Sequence, residues 1–167
     1  MLEYIKGIVT MILPSYIVVE NNGIGYRIYT PNPYSYKEGS EYTIYIYEQI
    51  REDEHSLYGF NDISEKDMFL KLIDVKGLGP KMALPMLATG SINGICDAIN
   101  RENVLYLKKF PKIGDKVAKQ IILDLKGKVS TSEEYVSSSE SDDLVEALEA
   151  LGYKMNDIRR VIPMVDK

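Results

Sequence analysis

Residues 75–83 read VKGLGPKMA, and residues 110–118, which begin 35 positions later, read FPKIGDKVA. Each stretch is typical of a short turn with an apolar residue at its centre, followed by a helix that begins with a lysine. The N-terminus of such a helix presents free backbone N–H groups and the positive end of the helix dipole, and both favour a phosphate. Two turns of this kind, one helix pair apart, suit two phosphates of a nucleic-acid backbone better than a single small ligand.

We call residues 75–83 hairpin one and residues 110–118 hairpin two. A helix–hairpin–helix unit needs glycine where the turn takes a positive φ or where the backbone approaches a phosphate, and it needs an apolar anchor, here Leu78 and Ile113. Two ordinary helix–helix turns are the alternative, but the spacing, the apolar positions and the lysines all repeat together. The candidate phosphate-binding residues are Gly77, Gly79, Lys81, Lys112, Gly114, Lys116 and Lys119.

Hairpin two departs from hairpin one at two positions. Lys112 stands where hairpin one has its first glycine, and Asp115 stands where hairpin one has Pro80. Lys112 adds positive charge but strains the turn, whereas Asp115 favours a helix N-terminus and repels a phosphate there. We therefore expect hairpin one to contribute more to nucleic-acid affinity than hairpin two.

The distribution of charge along the chain agrees with this interpretation, although the average charge does not. The 167 residues carry a formal net charge of −5, which alone argues against nucleic acid. Residues 66–128, however, contain 12 Lys and Arg against 6 Asp and Glu, a net of +6, while the remainder of the chain carries −11. Because phosphate affinity depends on basic patches, both hairpins lie in the part of the chain that is suited to DNA.

Residues 1–63 are predicted to form a small β-barrel. Runs rich in β-branched and aromatic residues flank the Asn-Asn-Gly at 21–23, which is a strong β-hairpin signal. Five or six short strands in about 60 residues fit an OB-fold. Ten of the 13 tyrosines fall here. They suggest either a stacking platform for single strands or ordinary strand packing, and the acidic character of the segment favours packing.

Residues 64–129 are predicted to be helical, with a first helix capped by Ser64 and further helices from Pro80 to about Thr89 and from Asp115 to about Lys126. Residues 130–141 are acidic and Ser-rich and are predicted to be a flexible linker. Residues 142–167 are predicted to form a small C-terminal helical domain. The fold class is therefore α+β multidomain, with an OB-fold β-barrel, a tandem helix–hairpin–helix domain and a short helical domain at the C-terminus.

The stretch Arg51-Glu52-Asp53-Glu54-His55, which we call the acidic turn, lies between two predicted strands. Its simplest interpretation is a solvated polar turn. A second interpretation is a repulsive element that keeps phosphates away from one place and so selects a DNA shape. A third is the Mg²⁺ site of a nuclease, but adjacent carboxylates on an extended tip point apart and do not converge on one cation. We therefore expect no metal site and no catalytic residue.

The remaining motifs limit the possible functions further. The glycines lack the spacing of a Walker A loop, so we expect no cofactor and no ATPase activity. The single cysteine, Cys96, excludes an internal disulfide and a cysteine zinc site. The N-terminus lacks the apolar core of a signal peptide, and no run approaches 18 apolar residues. These features predict a cytoplasmic protein without a membrane partner.

The order of these elements resembles the RuvA family of Holliday-junction-binding proteins. The resemblance rests on the acidic turn before the LYGF at 57–60, on both hairpins, on the Ser-rich linker and on the LEALGY at 148–153. It covers essentially the whole chain. It implies a non-catalytic subunit that binds four-way junction DNA, holds the junction open and square, and recruits the RuvB ATPase motor for branch migration in recombination and repair.

The resemblance also implies roles for individual residues and further partners. Glu52 and Asp53 would be an acidic pin at the crossover, and the chain would form a homotetramer, either single or stacked as an octamer. RuvC resolvase is a further candidate partner. The UBA-like C-terminal domain of the family has three helices, whereas residues 142–167 predict about two, so this domain is shortened. Docking of RuvB would use the apolar residues Leu144, Leu148, Leu151 and Ile158.

Two other functions stay open at this point. The first is a Mg²⁺-dependent junction or flap nuclease that uses the acidic turn, and cleavage of DNA by the pure protein would identify it. The second is an OB-fold protein that binds single-stranded DNA, which a preference for single strands would identify. The tandem hairpins favour the non-enzymatic junction-binding subunit over both.

Overall fold

Five β-strands close into a barrel in the N-terminal half of the chain. The computed structural model describes residues 1–129. Its strands follow the order β1-β2-β3-β5-β4 around the barrel, which closes through the β1–β4 pairing. The β3–β5 pair is parallel and the other pairs are antiparallel. The strands are β1 (Tyr4–Ile12), β2 (Tyr16–Asn21), β3 (Ile24–Tyr29), β4 (Glu41–Ile50) and β5 (His55–Phe60).

The barrel confirms the predicted OB-fold, and its interior follows from the alternation of apolar residues along each strand. The buried side chains that fill it are Ile5, Val9, Ile17, Val19, Ile28, Tyr36, Ile44 and Ile46. Gly59 in β5 is required by this packing, because a Cβ there would lie 2.3 Å from Cγ2 of Ile28 and 2.6 Å from Cγ2 of Ile44. The β2–β3 turn is the predicted β-hairpin, with positive φ at Asn22 and Gly23.

Between residues 61 and 129 the structure has five helices, and a short 3₁₀ turn (Pro33–Ser35) interrupts the barrel before β4. Helices α2 and α5 begin at the residues predicted from the two hairpins. Within residues 1–129 no single helix is long and apolar enough to span a bilayer; α2 and α3 together have the length and composition but are bent by 107°. The helices are α1 (Ile63–Asp74), α2 (Pro80–Thr89), α3 (Ile92–Asn100), α4 (Val104–Leu107) and α5 (Asp115–Leu125).

The predicted N-cap of α1, and with it the start of the helix, was wrong by two residues. The N-cap is Asp62, whose Oδ1 accepts a hydrogen bond from the backbone N–H of Glu65 at 2.8 Å, and not Ser64. The carboxylate of Glu65 in turn accepts the backbone N–H of Asn61 at 3.1 Å. The earlier cap therefore prevails because the side chains of Asp62 and Glu65 together satisfy two backbone donors.

The barrel and the helices are joined by aromatic packing. Phe69 of α1 is fully buried, with ring centroids 4.7 Å from Phe60 and 5.5 Å from Tyr58 of β5. Lys66 of α1 is also buried and forms an ion pair with Glu3, which precedes β1. These contacts make residues 1–129 one unit. The predictions for the linker at 130–141 and for the C-terminal domain at 142–167, including Leu144, Leu148, Leu151 and Ile158, lie outside the described residues.

Candidate nucleic-acid interface

Hairpin one is a tight turn that leads from α1 into α2. The backbone N–H of Leu78 donates to the carbonyl of Val75 at 3.0 Å, and Leu78 is only 3% exposed, so it anchors the turn as predicted. Gly77 takes a φ of +90°, in the region that favours glycine. Gly79 is the N-cap of α2, and Pro80 occupies the first helical position, where its missing N–H removes no helical bond.

Hairpin two repeats this geometry between α4 and α5. The N–H of Ile113 donates to the carbonyl of Phe110 at 3.2 Å, and Ile113 is 5% exposed. Gly114 is the N-cap of α5, with an extended conformation like that of Gly79. Lys112 occupies the position of Gly77 and takes a φ of +65°. The backbone of Lys112 therefore lies in the left-handed region, which is unfavourable for a residue with a side chain. This is the strain that we predicted from the lysine at the position of Gly77.

The two hairpin helices differ from the other three helices at their N-termini. Helices α1, α3 and α4 are capped by the side chains of Asp62, Ser91 and Asn103, each of which accepts a backbone N–H. Helices α2 and α5 begin at glycines and have no side-chain cap. No side chain therefore bonds their first-turn N–H groups. In α2, Pro80 has no N–H and that of Met82 donates to the carbonyl of Gly79 at 2.9 Å, so the N–H of Lys81 is the one left for solvent or for a ligand.

The fold itself does not need glycine at Gly79 or Gly114. Neither residue has a positive φ, and a Cβ built at either position would have no atom within 4 Å. The protein therefore leaves room for a Cβ at both positions. An uncapped helix N-terminus with open space around its first residue is suited to an anion.

The predicted lysines lie on the surface around these N-termini. Lys112, Lys116 and Lys119 are exposed, as is Lys81. The structure therefore places the four lysines and the three glycines of the candidate phosphate site in and directly after the two turns. Two charged neighbours were missed by sequence reasoning: Glu54, which pairs with Lys81 at 3.6 Å, and Lys108, which pairs with Asp115 at 2.7 Å.

The pairing of Asp115 changes the charge that hairpin two presents. The hydrogen bond from Lys108 and its charge, together with the charge of Lys119, lower the pKa of Asp115 below its ordinary value. The carboxylate is thus ionised at neutral pH but shares its charge with a neighbouring lysine. The repulsion that we expected between Asp115 and a phosphate is therefore reduced but not removed.

The acidic turn projects from the end of the β4–β5 ribbon. Glu52 and Asp53 are exposed at its tip, whereas Glu54 is half-buried. The turn is closed by a hydrogen bond of 2.7 Å from the N–H of Arg51 to the carbonyl of Glu54. Among residues 1–129, no group of three or more His, Cys, Asp and Glu side chains is arranged to hold a metal ion.

The tyrosines of the barrel pack mainly against each other and against the helical core. Tyr58 is buried, and its ring centroid lies 5.8 Å from that of Tyr29 and 6.2 Å from that of Tyr47. Tyr16 lies under the guanidinium of Arg27 at 4.7 Å. These contacts agree with the interpretation of the tyrosines as strand and core residues, although Tyr4 and Tyr34 are exposed.

Comparison with known proteins connects these elements to one family. The family model of the RuvA N terminal domain matches residues 1–59, that of the SAM-like helix-hairpin-helix tandem matches 69–128, and that of the RuvA C-terminal domain matches 139–167. A relative from Leuconostoc mesenteroides subsp. mesenteroides is 44% identical over 100% of this chain and 91% of its own length. The chain belongs to the RuvA family.

Other RuvA proteins show similar agreement. The relative from Acholeplasma laidlawii is 49% identical over 99% of this chain and 90% of its own length. The relative from Listeria innocua serovar 6a is 45% identical over 100% of this chain and 90% of its own length. All three relatives are named Holliday junction branch migration complex subunit RuvA. The RuvA resemblance and the fold class predicted from the sequence are therefore confirmed.

Proposed function

We propose that this chain is the non-catalytic, junction-binding subunit of a branch-migration complex, and that it binds four-way DNA junctions through their backbones. The observation that supports this most directly is the pair of uncapped, glycine-fronted helix N-termini in one basic segment. Contacts of this kind position DNA without reading its sequence. The names of the relatives, each a subunit of a Holliday junction branch migration complex, agree with this function.

The proposed contacts follow the geometry of each hairpin. Backbone N–H groups at Gly79 and Gly114 and in the first turns of α2 and α5 would bind phosphate oxygens. Positive φ at Gly77 and Lys112 would hold each turn in the shape that exposes them. Four exposed lysines would add charge close to these groups, namely Lys81, Lys112, Lys116 and Lys119.

The acidic turn would act by repulsion. Glu52 and Asp53 are exposed side by side at the tip of a closed turn, so both charges face solvent. In the proposed complex they would lie where the strands of the junction cross. A phosphate near two carboxylates is disfavoured at short range. We propose that this acidic pin keeps the centre of the junction free of backbone and favours an open, square junction.

The partners follow from the same proposal. The chain would form a homotetramer that matches four duplex arms, either single or stacked as an octamer, and would recruit the RuvB motor through Leu144, Leu148, Leu151 and Ile158. RuvC resolvase is a further proposed partner, and the proposed location is the cytoplasm. Deletion of residues 142–167 should abolish retention of RuvB in a pull-down, while the binding of junction DNA persists.

The decisive experiment is a competition between a four-way junction and a linear duplex of the same arm sequence, at fixed salt and with EDTA present. We expect a strong preference for the junction, and we expect the double variant Glu52→Gln/Asp53→Asn to keep affinity but to lose control of junction geometry. Equal binding of junction and duplex would contradict the proposal. A parallel incubation with Mg²⁺ tests the nuclease, and a single-stranded competitor tests the single-strand-binding protein.

A further inference from the structure

Glu54 connects the two surfaces that the proposed function uses separately. Its backbone carbonyl accepts the N–H of Arg51 at 2.7 Å and so closes the acidic turn. Its side-chain Oε1 lies 3.6 Å from Nζ of Lys81, at the start of α2. The same oxygen accepts a hydrogen bond from Oγ of Ser56 at 2.9 Å. One residue thus belongs to the acidic turn and also contacts the lysine of hairpin one.

The surroundings of this pair fix Glu54 more firmly than Lys81. The side chain of Glu54 is 34% exposed and is oriented by Ser56, whereas that of Lys81 is 77% exposed. Both residues line a cleft of about 340 Å³ between the barrel and α2, together with Tyr58 and Leu84. The hydrogen bond from Ser56 and the charge of Lys81 lower the pKa of Glu54, so the carboxylate is ionised at neutral pH.

We propose that Glu54 is a positioning residue that competes with DNA phosphate for Lys81 and so lowers the affinity of hairpin one for DNA. The inference rests on the proposed function. A phosphate that reaches the N-terminus of α2 must take Lys81 from Glu54 or share it, so part of the attraction of Lys81 for the phosphate is lost. Because branch migration moves duplex arms past the protein, a contact that exchanges readily between Glu54 and phosphate suits arms that must slide.

The pairing also changes the salt dependence of binding. A lysine that neutralises a phosphate adds roughly one counterion to the number released from DNA. Lys81 is already partly neutralised by Glu54, so its contribution to this release is reduced. Removing the Glu54 charge should therefore increase both the affinity and the steepness with which affinity falls as salt is raised.

The test is a double-mutant cycle on junction binding, measured by fluorescence anisotropy at several salt concentrations. Glu54→Gln keeps the size of the side chain and its hydrogen bond to Ser56. We expect it to raise affinity by roughly two- to fivefold, the range set by an exposed ion pair, and to steepen the salt dependence. In the Lys81→Gln background the same change should have no effect on the slope and less than about a 1.5-fold effect on affinity, because coupling requires both partners.

The matched control is Glu41→Gln, which removes the same charge and breaks the Lys6–Glu41 pair of 3.1 Å at the opposite end of β4. It should leave affinity and salt slope unchanged. The inference would be overturned if Glu54→Gln had the junction affinity and salt slope of the wild type. It would also be overturned if Glu54→Gln raised affinity equally with and without Lys81. Titrations of the wild type with junction and with duplex, in the same series, distinguish failure of this inference from failure of the proposed function. If the wild type bound junction and duplex equally, the proposed function itself would be contradicted.

Discussion

The two hairpins have the same apolar framework and different electrostatics. Buried residues recur at the same offset in both, so that Leu78 and Ile113 anchor the turns and Ala83 and Ala118 pack on the first helical turns. The charged contacts do not recur. Hairpin one presents a lysine held by a carboxylate from the acidic turn, whereas hairpin two presents a carboxylate held by a lysine from α4. The shape of the motif is thus set by burial, and its affinity is set by polar residues that are free to differ.

The difference between the hairpins extends to their backbones. Gly77 takes a φ of +90° without a Cβ, whereas Lys112 takes +65° with one. A left-handed conformation is unfavourable for a residue with a side chain by about 1–2 kcal/mol. Hairpin two therefore stores strain that hairpin one lacks, and it has a positive charge within the turn at the position where hairpin one has Gly77.

The largest expected effect comes from filling the space in front of each helix. Gly79→Val should weaken junction binding about tenfold, because a charge-assisted hydrogen bond to phosphate is worth roughly 1.5–3 kcal/mol. Gly114→Val should weaken it less, by about threefold, because Asp115 already opposes a phosphate there. Titration of both variants with the same junction measures the difference.

The stability of the same two variants is the control for correct folding. A Cβ at either position meets no atom within 4 Å, so neither variant should clash with the fold. Valine is a poorer N-cap residue than glycine, so both unfolding midpoints should fall slightly and to the same extent, at a cost of about 0.5–1 kcal/mol. Equal losses of affinity would contradict the expected difference between the hairpins, and a larger loss for Gly114→Val would show that hairpin two is the stronger contact.

The next effect concerns the lysines. Lys116→Gln should reduce junction affinity by several-fold and lower the salt slope by about one per bound hairpin. Lys81→Gln should lower both the slope and the affinity by less, because Glu54 already neutralises part of the Lys81 charge in the free protein. Salt titrations of the two variants distinguish charge alone from charge next to a carboxylate. Identical affinities would contradict this asymmetry.

The comparison also shows which features can be predicted from sequence. Apolar periodicity and turn residues are local signals, and they predicted the barrel, the starts of α2 and α5, and the anchors Leu78 and Ile113. The strain at Lys112 was predictable too, because the repeat itself gives the required backbone shape. The cap of α1 was missed because two capping patterns lie two residues apart, at Asp62 and at Ser64.

The ion pairs could not be predicted in the same way. The Glu54–Lys81 pair joins the end of the β4–β5 ribbon to α2, and the Lys108–Asp115 pair joins α4 to α5. Periodicity assigns a residue to a face of its own element, but it does not say which side chain of another element faces it. In the sequence, Glu54 was only the last carboxylate of an acidic run, and Lys108 was one of several lysines.

A reciprocal exchange tests the strain difference directly. Lys112→Gly should stabilise the protein by about 0.5–1 kcal/mol, since glycine adopts positive φ at little cost but loses more entropy on folding. Gly77→Lys should destabilise it by a comparable amount. Urea unfolding monitored by tyrosine fluorescence measures both changes. Equal stability of Lys112→Gly and wild type would mean that the turn of hairpin two is relaxed around its lysine.

The smallest effect is expected from the carboxylate of hairpin two. Asp115→Asn removes a charge that repels phosphate and frees Lys108, so junction affinity should rise about twofold, the effect of one exposed pair.

Because Lys108 lowers the pKa of Asp115, the pair contributes to stability above the pKa of the unfolded chain, and this contribution is lost as pH falls through the lowered value. The affinity gain should therefore be constant between about pH 6 and pH 8, where the carboxylate stays ionised. Anisotropy titrations across that range check it, and a gain that varied with pH there would place the repulsive charge on another group. If Asp115→Asn instead weakened binding, the carboxylate would be acting by orienting Lys108, and the affinity difference between the hairpins would then come from the strained turn at Lys112 alone.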